Sequence, residues 1–107
     1  MQKELLRIKD FAERFPDTEI WVISRNGIQA KLYWERIKAN IETINIEPYI
    51  FTANLRTIDG LNPKNAVILL CGRWYENPIA NSEAWKYYLK NARYTLPIGE
   101  IPDPKIL

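Results

Sequence analysis

The chain has 107 residues, 47% hydrophobic and 26% charged, which is enough for one small domain with a modest core and too little for two. A formal net charge of +2 falls well short of the basicity of a dedicated nucleic-acid binder, so any positive potential must be local. With no histidine and a single cysteine, Cys71, one chain cannot build a zinc site, an imidazole-dependent triad or an internal disulfide, and its residues call for no cofactor.

Leu5, Ile8, Phe11, Ala12 and Phe15 recur at helical spacing between charged residues and predict an amphipathic helix. It must end before Pro16, because the residue preceding a proline is pushed out of the α region. Residues 19–24 are rich in β-branched and aromatic side chains and predict a buried strand, broken by Asn26-Gly27. A second helix is expected over residues 28–42, with Ile28, Leu32, Ile37 and Ile41 as its apolar positions and Lys31, Glu35 and Lys38 on the other flank. After Pro48, residues 49–52 predict a short second strand.

Residues 53–65 contain two turn signals, Asp59-Gly60 and Asn62-Pro63, and predict a long irregular connection of the kind that often carries function. Residues 66–71 are the most apolar run and predict a central strand buried on both faces. A polar and aromatic turn follows at residues 73–78; Ser82 then caps a third helix over residues 83–92, whose buried stripe is Trp85, Tyr88, Leu89 and Ala92. Residues 94–97 predict a last strand, and residues 98–107, rich in proline, an extended tail that docks on its own domain or on a second copy or partner. The order α-β-α-β-β-α-β predicts an α/β fold: one domain over residues 1–97, a small three-layer sandwich with a mainly parallel sheet of three or four strands and about three helices. No signal-like region opens the sequence and no apolar run approaches the ~20 residues that span a bilayer, so the expectation is a soluble cytoplasmic protein without membrane contact.

Three of the apolar runs stop at an arginine: Arg25, Arg56 and Arg73. If the runs are parallel strands, their ends share the carboxyl edge of the sheet, where ligands of open α/β sheets bind. Arg25, Asn26, Lys31, Asn54, Arg56 and Arg73 then form a candidate phosphate site, with Trp74 or Tyr75 available to stack on a base. The competing reading of each arginine is a solvated charge or the partner of a nearby carboxylate. Lys31 has the same alternative, a solvated helix face with Glu35 four residues on. Asp59 and Glu76 are the acids expected near the edge, and no spacing ties them into an acid-base pair.

The segment Arg25-Asn26-Gly27-Ile28-Gln29-Ala30-Lys31-Leu32 lies between a strand and a helix, has the length of a phosphate-binding P-loop and places Lys31 at the position of the motif's lysine. It resembles a degenerate P-loop. Arg25 and Ala30 stand where the family has glycines, Leu32 where it has the metal-binding hydroxyl, and Cys71-Gly72 where its second motif has an acid. The resemblance implies a P-loop-like or Rossmann-like nucleotide-binding core that has lost hydrolysis.

Trp21, Trp34 and Trp85 read as core residues, whereas Trp74 and Tyr75, next to a strand end and a proline, read either as a cover for the core or as an anchor for a ligand or protein. Lys86, Lys90 and Arg93 form a basic stripe on the third helix that fits a phosphate backbone or simply water. Two functions therefore stand side by side. One is a non-hydrolytic binding module for a nucleotide or nucleic acid. The other is a small accessory or inhibitory protein, of the type encoded by viruses and mobile elements, that meets a protein partner or forms a homodimer through Trp74, Tyr75 and the tail.

Overall fold

The computed structural model describes residues 2–41, 46–55 and 58–99. Among them four strands form one all-parallel sheet: β1 (Glu19–Ile23), β2 (Tyr49–Ile50), β3 (Ala66–Cys71) and β4 (Tyr94–Ile98), in the spatial order β2-β1-β3-β4. Three α-helices accompany it: α1 (Gln2–Arg14), α2 (Gly27–Asn40) and α3 (Glu83–Asn91). Glu19 pairs with Ala66 and Ile23 with Leu70 along the central pair, while Trp21 pairs with Tyr49 and Val67 with Tyr94 on the flanks.

Alternation along the strands divides the core in two. Ile20, Val22, Val67, Leu69, Cys71, Leu96 and Ile98 face α1 and α2, while Trp21, Ile23, Ala66, Ile68 and Leu70 face α3 and the connection that precedes β3. β3 is buried along its whole length, as expected of a strand covered on both sides. Ile98, expected at the start of the tail, is the last residue of β4 and lies in the core; residues 100–107, the rest of the expected tail, lie outside the described residues.

Parallel neighbours require crossovers, and the chain makes them on opposite faces. From β1 it passes through α2 on one face to β2, and from β3 through α3 on the other face to β4, the arrangement that lets both crossovers be right-handed. The β2-to-β3 connection has no α-helix among its described residues; Ile58 is buried, and Tyr88 of α3 donates its hydroxyl to the Ile58 carbonyl and accepts from the Leu61 amide at 3.2 Å.

Two of the three helix starts have a local cause in a capping side chain. The Asn26 side chain accepts from the Gln29 amide at 2.9 Å, and the Ser82 hydroxyl accepts from the Trp85 amide at 3.1 Å. The buried stripe of α2 is Ala30, Tyr33, Trp34 and Ile37, continued by Ile41; it keeps Ile37 and Ile41 of the expected stripe and replaces Ile28 and the half-buried Leu32. Ile28 is 81% exposed. It sits about 200° around the helix from Ala30, which places it on the solvent side.

Candidate functional site

β1 and β3 are neighbours whose chains leave toward opposite sides of the sheet, so a crevice opens between their carboxyl ends. A cavity of about 390 Å³ lies there, lined by Ser24 and Arg25 after β1, Gln29 and Tyr33 of α2, Gly72, Arg73 and Tyr75 after β3, and Gly99 after β4. Its size falls within the usual range for small-molecule sites.

The edge is built by residues that are not themselves charged. Asn77 is wholly buried; its amide group donates to the Ser24 carbonyl at 3.0 Å and the Thr52 carbonyl at 3.1 Å, and its oxygen accepts from the Ile79 amide at 3.0 Å. One side chain thus ties the ends of β1 and β2 to the turn after β3. Gly72 has φ of +55°, and a Cβ there would stand 2.5 Å from the Tyr33 hydroxyl, so only glycine lets that hydroxyl rest against the backbone at the end of β3. The Gly72 amide donates to the Ile98 carbonyl at 2.7 Å, which carries the sheet pairing up to the cavity floor.

The electrostatics of the cavity are cationic. Arg25 is exposed and forms no ion pair among the described residues, and Arg73 has only Glu76, 3.7 Å away. Ser24 is 2% exposed, lines the cavity, and its hydroxyl makes no hydrogen bond among the described residues. Asn26 occupies the Gln29 amide with its side chain and the Ala30 amide with its carbonyl at 3.0 Å. The Gly27 and Ile28 amides are left without an intrahelical partner at the positive end of the α2 dipole, beside the cavity.

The expected site residues separate accordingly. Arg25, Arg73 and Tyr75 come together, and Asn26 contributes as the α2 cap. Lys31 does not join them: two residues along α2 from Gln29 it points to another side, where it lines a cavity of about 290 Å³ with Trp34, Glu35, Lys38, Glu47, Pro48 and Ile50. It forms no ion pair with Glu35 among the described residues. Asn54 lies in a turn in which its amide donates to the Thr52 hydroxyl at 3.1 Å, and it does not line the cavity. Arg56 lies outside the described residues.

The P-loop-like window takes a different shape from the motif it resembles, because residues 27–32 are already helical and the turn before them is only Ser24-Arg25-Asn26. Trp74 is partly buried against the core, 6.4 Å from Trp85, so of the two aromatic residues Tyr75 is the one at the cavity. Arg93 leaves the expected basic stripe: it pairs with Asp17 at 3.0 Å, at the opposite end of the sheet. Burial raises the Cys71 thiol above its ordinary pKa, which makes it an unreactive core residue.

Ser24, Gln29, Tyr33, Gly72 and Gly99 were not among the expected site residues. Ser24 and Gly72 adjoin the strand-end arginines, and Gln29 and Tyr33 share a helix face at i, i+4, so the same strand-end logic carried one step further points to them.

No protein-family model matches the chain, and no curated protein or solved structure matches it. No helix among the described residues is long and apolar enough to cross a membrane.

Proposed function

We propose that the chain is a non-hydrolytic binding module for a phosphate-bearing ligand, held at the crevice between the ends of β1 and β3. The observation that supports this reading is that Arg25, Arg73 and Ser24, whose hydroxyl has no partner among the described residues, all line one cavity next to the start of α2. Two arginines lining one cavity, with one carboxylate 3.7 Å from Arg73, favour an anion, and the forked donors of a guanidinium suit phosphate. Hydrolysis is not part of the proposal, because Leu32 and Cys71 replace the hydroxyl and the acid of the motif it resembles and Lys31 lines a different cavity.

Thermal unfolding in sodium phosphate and in sodium chloride of matched ionic strength tests the reading. Phosphate should raise Tm above the chloride value, and the Arg25→Ala/Arg73→Ala double variant should lose that difference. Equal melting of the wild-type protein in both salts would sink it.

A further inference from the structure

This inference rests on the phosphate-binding reading and names the ligand class. We infer that the pocket takes a single terminal phosphomonoester carried by a nucleoside, with Ser24, Arg25 and Arg73 on the phosphate and the ring of Tyr75 stacked on the base.

The charge of the pocket sets the number of phosphates. Arg25 and Arg73 supply two positive charges, and Glu76, 3.7 Å from Arg73, offsets part of one. A phosphomonoester carries roughly −1.5 to −2 at neutral pH and is enough to saturate them. A triphosphate would bring two more phosphoryl groups to a cavity with no further cation among its described lining residues.

The aromatic arrangement supplies the second half. Tyr75 is 59% exposed, lines the same cavity as the arginines, and meets Trp74 edge-on, with centroids 6.1 Å apart and planes at 76°. Trp74 in turn rests 6.4 Å from the fully buried Trp85, which is 5.2 Å from Phe51. The ring of Tyr75 therefore leans on an aromatic chain rooted in the core while the residue stays more than half open, and a ring supported on one side has less freedom to lose on binding a planar partner. Gly72 and Gly99 bring no side chains to the cavity, and the Cβ position of Gly99 is open, which leaves room beside the ring. Planar rings stack on such platforms with little dependence on base identity.

Calorimetric titration with inorganic phosphate, ribose 5-phosphate, adenosine, adenosine 5′-monophosphate, adenosine 5′-triphosphate and a short single strand with or without a 5′-phosphate tests this. The monophosphate should bind roughly 5- to 150-fold tighter than ribose 5-phosphate, the range that one stacked base provides. That gain should vanish in Tyr75→Ala and persist in Tyr75→Phe, and the triphosphate should bind no tighter than the monophosphate. Binding of the 5′-phosphorylated strand as tight as that of the mononucleotide assigns the site to a nucleic-acid end, and exclusion of the strand assigns it to a free nucleotide; either supports the inference. Equal affinity for ribose 5-phosphate and the mononucleotide, with phosphate binding intact, overturns the stacking and leaves the binding module standing. A triphosphate more than tenfold tighter overturns the single phosphate. If no phosphorylated probe binds, both readings fall.

Discussion

The two ends of the sheet use arginine in opposite ways. At the amino end, Arg93 contacts the segments leading into β1 and β3: its guanidinium lies 3.0 Å from Asp17 and 3.0 Å from Asn65, reaches the Thr18 hydroxyl at 3.3 Å, and sits 4.7 Å from the centre of the Phe15 ring. At the carboxyl end, Arg25 has no ion-pair partner among the described residues and Arg73 has one carboxylate at 3.7 Å, while a cavity opens between them. A guanidinium has five donors in a planar fork, and Arg93 fills most of them from its own chain. One end is closed by a cation satisfied within its own chain; at the other the cations stand open to solvent or to a ligand.

The largest test of this contrast removes the residue that builds the open end without adding charge to it. Asn77→Ala strands the buried Ser24 carbonyl and Ile79 amide and frees the part-buried Thr52 carbonyl, and should cost about 2–4 kcal/mol in denaturant unfolding while lowering the phosphate-specific rise in Tm. Unchanged stability would mean that Asn77 does not tie the strand ends together.

The arginines themselves come next. Arg93→Ala should destabilise the protein by about 1–3 kcal/mol in either salt, through lost hydrogen bonds and lost packing on Phe15. Arg25→Ala and Arg73→Ala should stay within about 0.5 kcal/mol of wild type in chloride and lose only the response to phosphate. If Arg25→Ala proves as costly as Arg93→Ala in chloride, the two ends are not different in kind.

The smallest effect concerns pH. Hydrogen bonding from Arg93 holds the Asp17 carboxyl below its ordinary value of 3.8. A depressed folded-state value stabilises the fold fully above the unfolded value, and that contribution is lost as pH falls through the folded one. Wild-type Tm should therefore drop more steeply below about pH 4 than that of Asp17→Asn. Parallel curves for the two proteins would show that the ion pair contributes nothing to folding.

Most of the elements are legible in the sequence because their causes are local. The three helices and four strands, in the expected order, follow from periodicity, from Pro16 and Pro48, and from the Ser82 cap, all of which act within a turn or two of chain. The α2 face is only half legible because its periodicity is weak: Ile37 and Ile41 are buried as expected, but Tyr33 and Trp34 are buried in preference to Ile28, a choice made by the sheet beneath the helix. That Arg25, Arg73 and Tyr75 line one cavity is legible in the sequence, since strand ends in parallel sheets converge by geometry alone, whereas nothing in the neighbourhood of Asn54 tells that it lies apart from that cavity.

What the sequence by itself determined is that this chain is an α/β unit with arginines at the ends of its strands. Only the tertiary structure decided that β1 and β3 are adjacent and that Asn77, 53 residues from Ser24, joins the strand ends. It also sent Lys31 and Arg93 elsewhere. The physical reason is that a side chain's direction along a helix or strand is set locally, but its partners are set by which elements pack together, and that follows from the burial of two whole faces of a sheet.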